Sequence, residues 1–243
     1  IIDYSIGDLV VGYSSNAQFQ ITEGFSQPRV VAKTTVPDDN FEAYLETHTA
    51  AGAVVSVGDA NSMGDGIANN DYVTTANISG VTSLDVDNQN IADLTGIEDF
   101  TSLTNLICYD NQLTNLDVSQ NANLDQLSID NLLITEIDLS NNLQLKSFFA
   151  TGLNNLTNID FSANTLLINL LLTNSKIEIL NLSNNSSVTY LSLRDNLRLT
   201  YLNLRNNNLN LNTCDLTNTP NLLCINADAN ITQAMINTGK TFS

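Results

Sequence analysis

Leu106, Leu127, Phe148, Leu170 and Leu191 recur at intervals of 21, 21, 22 and 21 residues, and each is followed two positions later by Cys108, Ile129, Ala150, Leu172 or Leu193. A second ladder runs in parallel through Leu116, Ile137, Ile159, Leu180 and Leu202, paired with Val118, Leu139, Phe161, Leu182 and Leu204. Repetition at such a period is the signature of a solenoid. Each apolar-x-apolar tripeptide has the alternation of a short strand, with two side chains entering a core and the intervening one facing out. Neighbouring strands lie about 4.8 Å apart, so a coil of this length buries its apolar face only against the coils beside it. Stacking then builds two sheets.

A third ladder, Asn121, Asn142, Asn164, Asn185 and Asn207, falls three residues after the second apolar residue of the second ladder. Where a coil leaves a strand, backbone donors and acceptors lose their sheet partners. A buried Asn amide can satisfy both kinds at once, so these residues are expected to be structural.

The segment Leu103 to Leu113, LTNLICYDNQL, follows the pattern L-x-x-L-x-L-x-x-N-x-L and resembles the leucine-rich repeats. The echo of each first half by a second, as in TNLDVSQN, resembles the nested 21-residue bacterial class. The opening repeat, Leu84 to Leu106 with IADLTGIEDFTSLTNL, is similar to the 22-residue repeats of internalin-type proteins. The match covers about residues 81–227. It implies a mainly β, right-handed leucine-rich-repeat solenoid, a horseshoe or arc. Leu132, Leu153 and Ser175 stand where the first half-repeat should carry Asn, which leaves two frames open; Asn111, followed by Leu113, favours the first half-repeat as the concave strand.

An open solenoid end needs a cap, and residues 32–80 are expected to supply a linker, Val30 to Val36, and a helical cap. Pro37, Asp38, Asp39 and Asn40 give helix-start chemistry, after which Phe41, Tyr44 and Leu45 share one face. Residues 1–31, with DYSIGDLVVGYS and QFQITEGF around polar turns, read as a short segment of antiparallel strands. That run resembles a small β module of secreted proteins from gliding-type bacteria. The solenoid spans 81–227, its last coil formed around Pro220 and NLLCINADAN; residues 228–243 are a closing segment, with a short element expected at Ile231 to Ile236.

With 26 acidic and 8 basic residues the net charge is -18, which makes nucleic acid and anionic membranes poor partners. No apolar run is long enough to span a membrane. The chain begins without an initiator Met or signal peptide and ends without a sorting signal, so it reads as a mature or excised fragment. Cys108 sits in a core position, while Cys214 and Cys224 admit either a bridge or two buried thiols.

Outward strand positions can vary without disturbing the core, so they are where recognition is sought. The second stripe is near-monotonous, with Asp117/Ser119, Asp138/Ser140, Asp160/Ser162, Asn181/Ser183 and Asn203/Arg205, and suggests solubility and edge hydrogen bonding. The first carries Asp85/Asp87, Ile107/Tyr109, Ser128/Asp130, Phe149/Thr151, Leu171/Thr173 and Ser192/Arg194. Apolar and aromatic groups flanked by charges suit an interface, and Ile107, Tyr109, Phe149 and Leu171 are the expected hot spots. The alternative is that they only cover the sheet, or that a shifted frame turns core residues outward.

Asp59, Asn61 and Asp65 place oxygen ligands at alternating positions in the loop GDANSMGDG, a geometry calcium can use. Met63 interrupts the set and no Glu follows, so an ordinary cap loop is the competing reading; no other cofactor is indicated. The single histidine, His48, has no Cys or Ser motif beside it, and a paired-carboxylate glycosidase is the one enzyme class the acidic composition admits. The sequence therefore points to a secreted or surface-displayed, non-catalytic protein that binds a protein partner. A glycan-binding module for a surface polysaccharide is the alternative, although aromatics are 6% of the chain with no Trp, and a spacer without a ligand is the third reading.

Overall fold

The computed structural model describes residues 31–205 and 213–228. The strands expected before residue 31, with their likeness to the gliding-type module, lie outside the described residues, as do Asn207 and the closing element at Ile231 to Ile236. The chain divides into a unit Ile1–Ala32 and a second from Lys33 onward, to which the following elements belong. The cap contains β1 (Lys33–Thr35), α1 (Asp39–Thr47), β2 (Tyr72–Thr74) and α2 (Thr75–Ile78). The coils contribute β3 (Ser83–Asp85), β4 (Asn105–Ile107), β5 (Gln126–Ser128), β6 (Ser147–Thr151), β7 (Asn169–Thr173), β8 (Ile179–Asn181), β9 (Tyr190–Ser192), β10 (Tyr201–Leu204), β11 (Thr213–Asp215) and β12 (Cys224–Ala227).

The fold is a mainly β leucine-rich-repeat solenoid. The first half-repeats form a seven-stranded parallel sheet in the order β11-β9-β7-β6-β5-β4-β3, in the frame that Asn111 favoured. Both apolar ladders are buried between the two faces of the coils, and the Phe148 and Phe161 rings meet edge-on at 5.2 Å, joining one face to the other. Each coil leaves the larger sheet through a residue with positive φ: Asn88, Asp110, Asn131, Gly152, Asn174, Asp195 and Asn218. Asn, Asp and Gly are the residues that tolerate this left-handed conformation.

The second sheet is shorter than expected: β8, β10 and β12 pair in parallel, whereas residues 116–118, 137–139 and 159–161 bury the same apolar pairs without forming strands. Their flanking residues explain the difference. Ile179 and Tyr201 open β8 and β10, and Asn203 Nδ2 donates to Asn181 Oδ1 across the pair at 3.0 Å. The earlier coils carry Asn115, Glu136 and Asn158 there, poor strand formers, and stack Asp117 towards Asp138, a like-charge repulsion. Cys214 lies in the larger sheet and Cys224 in the smaller, and no disulfide joins them.

The Asn ladder is buried but works only as a donor. Nδ2 of Asn142 donates to the Val118 and Asn121 carbonyls at 2.9 and 3.0 Å; Asn121, Asn164 and Asn185 repeat the arrangement, each reaching back to the preceding coil. Their Oδ1 atoms find no donor among the described residues, contrary to the expectation that one amide would serve both needs. The reason is local. At each of these turns the N–H groups are already used, as in Asn142 N to Leu139 O and Leu145 N to Asn142 O, so only carbonyls remain to be satisfied.

In the cap, Asp38 Oδ1 accepts from the Asn40 and Phe41 amides and starts α1, while its Oδ2 accepts from the Ala92 and Asp93 amides of the first coil. Phe41, Tyr44 and Leu45 are buried, with Phe41 stacked near Phe100. Part of the expected linker is a strand instead: Lys33–Thr35 pairs antiparallel with Tyr72–Thr74, and Thr34 Oγ1 donates to Asp99 Oδ2. Glu42 and Glu46, both buried, bind the backbone of the loop that follows. Glu42 takes the Asn70 and Asp71 amides, Glu46 those of Asp65 and Gly66.

Candidate functional site

The seven-stranded sheet sets its outward side chains in columns because the pairing is in register. Asp85, Ile107, Ser128, Phe149, Leu171, Ser192 and Asp215 form one column. Asp87, Tyr109, Asp130, Thr151, Thr173 and Arg194 form the next. Its line is kept by the left-handed residues, since Asn88, Asp110, Asn131, Gly152 and Asn174 donate their N–H groups to the carbonyls of Tyr109, Asp130, Thr151, Thr173 and Arg194. All the first-stripe positions singled out in the sequence therefore share one face.

A third column was missed: Ser83, Asn105, Gln126, Ser147, Asn169, Tyr190 and Thr213. Alternation extended one residue before each buried leucine finds it. Asn105 and Asn169 bond back to the Ser83 and Ser147 hydroxyls at 3.2 and 3.0 Å, so part of this column is tied to its neighbours.

Along the central column Ile107, Phe149 and Leu171 are half-buried, while Ser128 and Ser192 retain only 9% and 5% of their exposure. The two serines, expected as accessible contacts, are thus buried among larger neighbours. Phe149 and Leu171 sit directly side by side in β6 and β7. Tyr109 and Asp130 are half-buried beside this row, and Arg194 is exposed and paired to Asp195 at 3.2 Å.

Charge is uneven on this face. Burial raises the Asp85 carboxyl and the Asp87 side chain raises it further, while the Asp87 N–H, donated to Asp85 Oδ1 at 3.3 Å, partly offsets this. Asp87 also holds the Tyr109 phenol above its ordinary value, and burial raises Asp130. At the opposite end Asp215 is lowered by the Thr217 hydroxyl and amide. One end of the face thus concentrates Asp85, Asp87 and Asp130 around the Tyr109 phenol; the other sets Arg194 beside Asp215.

In the suspected calcium loop Asp59 Oδ1 and both Asp65 oxygens already have partners. Asp59 Oδ1 accepts from the Asn61 amide and from Asn61 Nδ2, while Asp65 is paired to Lys33 at 2.6 Å and also bonded by Asn70. An ion at Asp65 would have to displace the Lys33 ammonium. Carboxylate oxygens of Asp39, Glu42 and Asp71 also come within 4.8 Å of one another, with Glu42 already holding two amides. A cavity of about 580 Å³ lies away from the sheet face along the first coil. Its carboxylates Asp93, Glu98 and Asp117 accept from the Thr95, Gly96 and Ser119 amides. His48 stacks on Tyr44 at 3.9 Å, and burial pushes the Cys108 and Cys214 thiols up to about 12, so neither is a thiolate at neutral pH. No helix among the described residues is long and apolar enough to cross a membrane.

No protein-family model matches the chain. A stretch of 52 residues, 21% of the chain, is 50% identical to internalin J of Listeria monocytogenes serotype 4b (strain F2365), and the match spans 6% of that protein's length. Among solved structures, the functional domain of InlJ from Listeria monocytogenes, described as including a cysteine ladder, is 22% identical over 80% of this chain and 56% of that one, with a TM-score of 0.35. An internalin, InlF, of strain 4b F2365 is 19% identical over 86% and 68%, with a TM-score of 0.45. Internalin C2 of the same strain is 20% identical over 80% and 98%, with a TM-score of 0.40. The chain is thus similar to bacterial leucine-rich-repeat proteins of the internalin type.

Proposed function

We propose that this chain is a non-catalytic binding protein, secreted or displayed on a bacterial surface, that recognises a protein partner through the outward face of its seven-stranded sheet. The observation that carries this reading is the in-register row of Ile107, Phe149 and Leu171, half-buried and bordered by Tyr109, Asp130 and Arg194. A partner that finished burying these side chains would gain apolar contact, while the flanking polar groups fixed its register. The likeness to internalins supports the reading.

The test is a screen of the whole chain against a panel of surface proteins and a glycan array, with the Tyr109→Ser/Phe149→Ser double variant alongside. Saturable binding to a protein, weakened roughly 30-fold or more in the folded variant, is expected for two hot-spot residues. Binding confined to glycans would replace the protein reading, and binding unchanged in the variant would place the site on another face. No binding at all would leave a spacer.

A further inference from the structure

We propose that the cavity between the cap loop and β3 receives a lysine side chain of the protein partner, at the acidic end of the sheet face. The cavity measures about 140 Å³ and is walled by Tyr44, Ala50, Ala51, Met63, Leu84 and Asp85. Sites that enclose whole small molecules run to roughly 300–1,000 Å³, so this one suits a single side chain. Tyr44, Ala50, Ala51, Met63 and Leu84 give it apolar wall for a methylene stem, and Asp85, exposed on the sheet face, lines the same recess with a carboxylate for a charged head. This rests on the reading that a protein lies on the sheet, because Asp85 is the first member of the column that continues through Ile107 to Phe149 and Leu171.

Charge complementarity selects the occupant. The Asp85 and Asp87 side chains interact directly, and burial first, then both carboxylates, hold the Tyr44 phenol above its ordinary value. The ion pairs among the described residues engage Asp65, Asp125 and Asp195, and none engages Asp85 or Asp87. A pair of adjacent carboxylates beside an apolar recess lacks a cation that can enter the recess. An ammonium on a four-carbon stem supplies one, with three donors for the two carboxylates and the Ser83 hydroxyl of the lining. An apolar side chain would leave Asp85 desolvated without compensation.

The isotope-labelled whole chain, titrated with Nα-acetyl-lysinamide and separately with Nα-acetyl-norleucinamide, tests this by the movement of backbone amide resonances. The lysine probe should shift Ala50, Ala51 and Asp85 saturably, and the norleucine probe should not. The Asp85→Asn/Asp87→Asn variant should weaken the lysine probe about tenfold, the loss of a charge-assisted contact, with resonances of distant coils unmoved. Ala51→Leu, which fills the recess and keeps both carboxylates, should also abolish the response. Equal shifts with both probes, or an unchanged midpoint in the double Asn variant, would overturn the proposal. A lysine-specific response in a chain that captures no protein would sink the proposed function and leave the cavity assignment standing. Partner binding lost in the Tyr109→Ser/Phe149→Ser variant without any lysine-specific response would do the reverse.

Discussion

The two faces of the coil hold themselves together by different means. On the face with seven paired strands, backbone groups satisfy one another, and the outward side chains range from Phe149 and Leu171 to Asp85 and Arg194. On the other face three coils have no strand, and side chains do the bonding. Asp117, Asp138, Asp160, Asn181 and Asn203 each accept the N–H two residues on, while the buried asparagines hold the carbonyls of the coil before. Sequence uniformity therefore marks the face where side chains replace the backbone ladder. Variety marks the face where the ladder is complete and most outward side chains are not needed for the backbone's hydrogen bonds.

The comparison is broken most severely at the joint between the faces. Phe148 enters the core from β6 and meets Phe161 from the other side, so Phe148→Ala should cost about 3–5 kcal/mol in urea-induced unfolding. A loss below 1 kcal/mol would mean that the faces pack independently.

The asparagines sharpen it. Asn196, on the first face, donates to the Leu172 and Leu193 carbonyls and accepts from the Ser175 amide and hydroxyl. Asn142, on the second, only donates. Asn196→Ala strands partners of both kinds and should cost about 3 kcal/mol, whereas Asn142→Ala strands two carbonyls but also removes an orphaned oxygen and should cost about 1–2 kcal/mol. The reverse order in denaturation midpoints would contradict this account.

The smallest effects are electrostatic and opposite in sign. Backbone and hydroxyl bonds from Ser140 hold Asp138 below the usual carboxylate value, so its contribution is present above the unfolded value and lost as pH falls through the lowered folded one. Burial raises Asp130, so its charged form opposes folding at neutral pH, and stability is regained as pH falls through the raised value towards the unfolded one. Asp130→Asn should therefore raise the melting temperature slightly at neutral pH, and Asp138→Asn should lower it, with the Asp130 difference already gone near pH 3 and the Asp138 difference shrinking as its lowered value is approached. Shifts of the same sign would show that the faces do not differ in this way. Asp215, lowered by Thr217, already shows that a strand of the first sheet can use the second face's device.

The solenoid was legible because its ladders are a periodic property: every buried Leu, Ile or Phe repeats the same packing problem. Asp38 and the helical face of Phe41, Tyr44 and Leu45 were legible for a local reason, since capping and amphipathic spacing act within one turn. What escaped depends on relations between coils. Ser128 is polar and lies at an outward position, yet Ile107 and Phe149 on the adjoining strands cover it. The left-handed exits at Asn88, Asp110, Asn131 and Asn174 were present as recurring Asx residues, but their role emerges only when their amides meet the next coil. Likewise, Asp65 reads as a free ligand until Lys33, 32 residues away, closes on it.

Asp38 is one carboxylate shared by two structures, its first oxygen bound to the start of α1 and its second to the first coil. The cap is consequently not a lid laid over a finished stack. Fraying α1 withdraws acceptors from Ala92 and Asp93, and loosening the first coil removes the anchor from the helix. The protecting end and the end it protects form one cooperative unit, so the solenoid resists unravelling there as a block and not residue by residue.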